Sequence, residues 1–264
     1  MIARLGWTAV VAINAVVAAV LMVPLAISVL VSFSPSEYIA LPDSFSMRWY
    51  ERFFTDFVWV DALRDTMVIA GLTILISFPI GLTAAIAFTR YHLKWKSALN
   101  TAIMLPLFVP PVILGLGSLT FHRLIGLWGT ELSLAIVHSL WAMPLVFLVL
   151  KSTLAGVDVS VEEAAAGLGA SPIRVFFEVT LPLIASGVFV GVLFAFIISV
   201  NEFIMSLFLS TADVKTLPVA IWPQIRYLLT PIVAAASSII IVITLGLLGV
   251  SAKLTNIRQL VEYR

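Results

Sequence analysis

About six apolar runs, each near the length of a membrane-crossing helix, constrain this chain more than any other feature of it. They cover residues 7–33, 66–89, 98–119, 132–150, 181–209 and 231–252. A spanning helix needs about 20 mostly apolar residues, because lipid offers its backbone no hydrogen-bond partner. Only 11% of the residues are charged and 61% are hydrophobic, against about 25% charged in an ordinary soluble domain. The expected fold class is therefore all-α, a polytopic transmembrane helix bundle forming one domain over 1–264. Arg4 precedes the first run, as in a signal peptide, but that run is too long for one and is read as a retained helix.

The rest of the composition mostly excludes. A net charge of +1 gives no reason to invoke nucleic acid. The absence of cysteine removes disulfides, zinc thiolates and thiol nucleophiles. No two histidines stand at metal-ligand spacing, so no metal site is expected. Gly115 to Ser118 reads GLGS and lacks the G-x-S-x-G of a serine-hydrolase turn. There is no G-x-x-x-x-G-K-[ST], so the chain does not hold ATP on a P-loop.

Lysine and arginine in short loops set the orientation. Arg90, Lys94 and Lys96 fill the loop after the second run, and Lys253, Arg258 and Arg264 follow the last. Both segments should be cytoplasmic, with both termini on that side. The loop over 34–65 then faces outward, although it mixes Arg48, Arg52 and Arg64 with six carboxylates. Within it, Trp49, Tyr50, Phe53, Phe54, Phe57 and Trp59 recur near helical spacing. They predict an interfacial helix over about 47–63, either an aromatic belt or a partner-docking surface. In the third run, Pro106, Pro110 and Pro111 predict a kink or break. Its freed carbonyls must be satisfied by protein or by a water-filled path.

Between the fourth and fifth runs lies EEAAAGLGASPIRVFFEVTLP, residues 162–182. Ser160 with Glu163 fits a capping box, and Ala164 to Ala166 favour helix. Gly167 and Gly169 can end it. Ser171 can cap a second helix that has Pro172 at its first position, with Arg174 and Glu178 four apart. A plain connector needs less than this. The pattern predicts a rigid helix–turn–helix knob outside the membrane, over about 158–180, that fits a socket on a partner.

This stretch resembles the EAA loop of inner-membrane permeases of ATP-binding-cassette importers. Glu163, Ala164, Ala165, Gly169, Leu181 and Pro182 match the pattern in register, while Val179 stands where isoleucine is usual. The resemblance implies a bundle of helices around a translocation path and a loop, including Ser171 and Arg174, that docks on an ATPase. It implies as partners an ABC ATPase dimer, a second permease chain, a periplasmic solute-binding protein and membrane lipid. ATP and magnesium would be used by the ATPase, and no cofactor by this chain. The location implied is the bacterial inner membrane, and the chain itself would not be an enzyme. SVNEFIMSLFLSTADVKTLPVAIW, residues 199–222, and LFVPPVILG, residues 107–115, resemble the branch that imports spermidine, putrescine and opines. Permeases for phosphonates, ferric iron and sulfate carry related stretches.

Glu202 is the one carboxylate deep in a predicted span, where an ionised group costs several kcal/mol without a partner. On a continuous helix Ser199, Glu202 and Ser206 share a face, with Asn201 alongside. They are candidates for the path of a cationic substrate, together with Pro110 and Pro111. The alternative is a carboxylate bonded to a neighbouring chain or lying near the outer interface. Trp141, three residues after His138, offers a π face to an ammonium group or simply packs. Two other classes compete. An ion-driven secondary transporter would need inverted repeats and several midplane charges, which are not apparent. An intramembrane hydrolase would have to rely on Ser118 with His138.

Overall fold

The computed structural model describes the backbone of residues 2–227 and 229–262 and the side chains of 10–227 and 229–250. The orientation signals Arg4, Lys253, Arg258 and Arg264 lie outside the described side chains. Among the described residues every regular element is helical. Among these residues four helices are long and apolar enough to cross a membrane, and two bent helix pairs raise this to six if each pair is one span.

The chain divides into two compact units, residues 1–60 with 221–243, and residues 61–220 with 244–264. In the first, α1 (Ile2–Val31) leaves its apolar side chains exposed from Val10 to Leu30 except near its end, as a helix bathed in lipid would. The expected interfacial helix is shorter than its aromatic pattern. α2 spans Arg48–Thr55 and buries Trp49 and Phe53, one turn apart. Asp56 then takes an extended conformation, and its carboxylate accepts the Val58 N–H at 2.9 Å. That cap starts a new helix, so residues 57–63 open α3 and do not continue α2. Trp49 donates its indole N–H to the Ser34 carbonyl at 2.9 Å, and Tyr50 bonds Ser32 at 2.7 Å. The aromatic face of α2 is thus seated on its own chain.

The second unit is built on α3 (Phe57–Arg90), which starts in the first unit, and α6 (Glu131–Ala155). Between them the third span is broken into α4 (Lys96–Met104), a tight 3₁₀ turn over Leu105–Phe108, and α5 (Pro111–Leu124). The two arms meet at 97°. Pro110 has no N–H for the Pro106 carbonyl four residues back, which is why the prolines break the helix here. The indole N–H of Trp141 supplies a donor to that carbonyl at 3.0 Å.

After α6 come α7 (Val159–Gly167), the short α8 (Pro172–Val175), a π-type turn over Phe176–Thr180, α9 (Leu181–Leu183) and α10 (Ala185–Asn201). The Pro172–Leu183 arm meets α10 at 77°. α11 (Ile204–Leu209), α12 (Leu217–Tyr227) and α13 (Ile232–Glu262) complete the chain. The fifth apolar run is therefore three pieces, not one helix. Leu82, Ala85, Phe88, Phe147, Leu150 and Ile184 form one core cluster, and Ile69, Leu134, Val137, Met205 and Leu209 form another. Close packing there depends on small residues. A Cβ on Gly115 would sit 2.8 Å from Phe208 Cδ2 and 3.3 Å from Met205 Cα, so only glycine lets α5 lie against α11.

Candidate functional site

Two polar regions stand out in the second unit. The first is the knob. Its cap differs from the expected capping box: α7 begins two residues before the predicted start. Asp158 is the N-cap, its carboxylate accepting the Ser160 N–H at 2.9 Å. The Ser160 backbone N–H, then its hydroxyl, holds the Asp158 carboxyl below its usual range. Both residues are good caps, and the first one reached after the Gly156 turn takes the position. Of the two glycines, Gly169 alone has a positive φ, +89°, the left-handed geometry of a helix terminator. Gly167 remains in the helix. Ser171 caps α8 as expected, its hydroxyl accepting the Arg174 N–H at 3.4 Å with Pro172 at the first position. Arg174 and Glu178 approach to 3.5 Å but stay 66% and 68% exposed.

Glu163 and Ala164 face outward and Ala165 is half-buried. Leu168 is 91% exposed, and Ile173 and Phe177 are also exposed, giving the knob an apolar outer surface. Leu181 is half-buried and Pro182 exposed where the chain turns toward α10. Sequence reasoning passed over Glu162. It turns inward, where its carboxylate takes a forked pair of bonds from Arg90 at 2.8 and 3.0 Å and a third from Thr180 at 2.9 Å. Nothing local in the sequence marks Glu162 rather than Glu163 as the inward residue, because its partner Arg90 lies 72 positions away.

The second region is a buried seam. The predicted common face of Ser199, Glu202 and Ser206 does not exist as drawn, because α10 ends at Asn201 and Glu202 is extended. The break has its own logic. Glu202 is 7% exposed, and its carboxylate accepts the Met205 N–H, capping α11. Ser199 and Ser206, on either side of the break, bond the two ring nitrogens of His138 at 2.9 and 2.8 Å. Ser199 also reaches Thr73 at 3.2 Å, and Ser206 donates to the Glu202 carbonyl at 3.0 Å. With the Ser206 proton given to the Glu202 carbonyl, the fully buried imidazole donates from Nε2 to Ser206 and accepts at Nδ1 from Ser199. His138 is a staple across the break, and neither it nor Trp141 offers a free polar edge. Ser118 is not its partner. Asn201 is exposed and its amide donates back to Ile197. Pro110 is exposed and Pro111 half-buried at the other break.

Two bent helix pairs and a separately capped helical knob are thus the features of the second unit. The chain belongs to the binding-protein-dependent transport system inner membrane component family, whose model matches residues 77–254. It is 30% identical over 241 residues to the spermidine/putrescine transport system permease protein PotC of Haemophilus influenzae, covering 91% of this chain and 94% of that one. It is also 30% identical over 239 residues to the putrescine transport system permease protein PotI of Escherichia coli, covering 87% and 83%. The molybdenum transport system permease protein ModB of E. coli is 32% identical over 188 residues, covering 65% of this chain and 82% of that one. Among solved structures, a bacterial ABC transporter involved in alginate import superposes with a TM-score of 0.72 at 15% identity, covering 95% of this chain and 96% of the other. The MetNI methionine ABC transporter, in an inward-facing form, gives 0.61 at 15% identity, covering 80% and 98%. The chain is thus a multi-pass inner-membrane permease of an ABC importer with the type I fold, not an enzyme. As a member of that family it serves a binding-protein-dependent transport system, and the bacterial alginate transporter is known in complex with its periplasmic protein.

Proposed function

We propose that this permease imports a polyamine-type cation of the spermidine or putrescine kind. One observation carries the reading: relatives named for those amines align over 91% and 87% of the chain, whereas the molybdenum relative covers 65%. In this reading the knob over 158–182 lies in the cytoplasm, as do both termini, and docks on an ATPase that binds the ATP and magnesium. Glu163, Ala164, Ala165, Gly169, Ser171 and Arg174 shape the docked face, and Leu181 and Pro182 aim it. A second permease chain, homologous but different, completes the path. ATP closes the ATPase dimer, the knob moves, and the bundle switches between inward- and outward-facing states. The switch is driven only to the extent that the ATPase binds the two states unequally. The binding protein then delivers its amine, and hydrolysis resets the bundle.

Asn201 and the break at Pro110 and Pro111 border the path, and Glu202 supplies negative charge from behind the break. Ammonium groups leaving water gain charge-assisted stabilisation from such a carboxylate. The test is uptake of radiolabelled putrescine into proteoliposomes holding the complete complex and its binding protein. ATP-dependent uptake, competed by spermidine, is expected. Uptake of molybdate with no uptake of amines would overturn the substrate reading.

A further inference from the structure

We propose that Glu162, gripped by Arg90, is the strut that carries movement of the knob into the membrane helices. The inference rests on the docking reading above and adds the intramolecular route by which docking is felt. Among the described residues α7 buries no side chain, so apolar packing does not fix it to the bundle. A cavity of about 470 Å³ opens at its root, bordered by Ile86, Arg90, Leu154, Glu163 and Phe176. The ion pair crosses this loosely packed region.

Its geometry suits the task. Arg90 Nε donates to one Glu162 oxygen at 2.8 Å and Nη2 to the other at 3.0 Å, while Nη1 donates to the Leu154 carbonyl at 3.2 Å. Thr180 donates to the same carboxylate at 2.9 Å. One carboxylate and one guanidinium thus join the last residue of α3, the end of α6, the middle of α7 and the π-type turn that leads into the fifth span. An apolar contact slides, whereas a two-pronged guanidinium–carboxylate pair fixes both distance and orientation. The side chains are only 12% and 15% exposed, so water and salt screen the pair weakly. The Arg174–Glu178 pair, open to solvent, has none of these properties. π-type turns also recur at functional sites.

From Arg90 the route continues along α3. Thr73 lies on the same helix, about 25 Å away at the usual rise per residue, and bonds Ser199 in the seam at 3.2 Å. Displacement of the knob is thereby passed along α3, past Pro79, to Thr73 and the hydroxyl chain that reaches the break beside Glu202.

The experiment uses the complete complex and single cysteines at Leu107, Val109 or Asn201, since the chain has none of its own. Two quantities are read: ATPase retained on purification, and the ratio of thiol-labelling rates with and without ATP plus vanadate. The unmodified background should show a ratio that departs from one by about fivefold or more. Glu162→Gln and Arg90→Lys should retain the ATPase and bring the ratio close to one. The exchange Glu162→Arg with Arg90→Glu should restore part of the difference. Gly169→Val, by contrast, should lose the ATPase itself. A full labelling difference in Glu162→Gln would overturn the strut, as would loss of ATPase from that variant, which would make Glu162 a folding residue of the knob. An exchange no better than the single variants would overturn the pairing. A background without any ATP-dependent difference, or a Gly169→Val variant that keeps its ATPase, would instead strike the docking reading.

Discussion

The knob and the seam around His138 are both polar islands in an apolar chain, built on opposite plans. The knob is local. Asp158 caps on Ser160, Ser171 caps on Arg174, and Gly169 turns the chain, all within a few residues. Its outer surface is exposed and its own stability matters little to the bundle. The seam gathers Thr73, His138, Ser199 and Ser206 from three stretches of chain, with every one of these side chains buried. Unsatisfied polar groups there have no water to turn to. The contrast teaches that damage should separate: lesions in the knob should cost coupling and spare folding, and lesions in the seam should cost folding first.

The largest effect should come from Gly169→Val. A Cβ there would meet no neighbour, so the penalty is in the backbone, about 1–2 kcal/mol for a left-handed residue and more for a branched one. The ATPase should no longer be retained on purification, so its stimulation by the binding protein should vanish, while melting of the permease in detergent is unchanged. Gly169→Asn, which tolerates this φ, should keep much of the stimulation. A full response in the valine variant would erase the difference between the two regions.

His138→Ala should do the reverse. It removes two hydrogen bonds and opens a cavity, for about 2–4 kcal/mol of stability, read as a lower melting temperature of the purified complex. Gly115→Ala sharpens the same side of the comparison without touching a polar group. Phe208 and the α11 backbone must give way, at about 1–3 kcal/mol.

Glu202 divides the two kinds of effect within one side chain. Glu202→Ala loses the cap of α11, about 1 kcal/mol. Glu202→Gln keeps an acceptor for the Met205 N–H and removes only charge, so stability should hold while putrescine uptake slows. Equal uptake by Glu202→Gln and the unmodified chain would take Glu202 out of the path. The smallest effect belongs to Arg174→Ala. Its pair is exposed and 3.5 Å long, so the melting temperature should move by no more than about 0.5 kcal/mol implies.

What could be read in the sequence follows the same division. The spans at 66–89 and 132–150 were legible because lipid demands long apolar helices, and they appear within α3 and α6. Gly169, Ser171 and Pro172 were legible because caps and left-handed turns are decided by neighbours in the chain. The choice of Asp158 over Ser160 was a contest between two adequate caps. Asp56 was a missed cap in plain view, and it moved the start of α3 back to Phe57. The break at Glu202 was not legible, because no proline or glycine lies between Ser199 and Ser206. It is held by a histidine more than sixty positions away. The same holds at the start of α12, where Thr66 accepts the Leu217 N–H and Asp65 the Lys215 N–H. Such caps come from another helix and leave no local trace.

The central claim is that the knob is the surface through which this permease meets its ATPase. Leu168, 91% exposed on the knob, and Leu124, 81% exposed at the end of α5, lie beyond opposite ends of α6. Single cysteines at each, in the naturally cysteine-free chain, carry a short photoactivatable cross-linker in the assembled complex. The account predicts that Leu168→Cys cross-links to the ATPase in good yield and that Leu124→Cys does not. Cross-linking from Leu124 with none from Leu168 would contradict it.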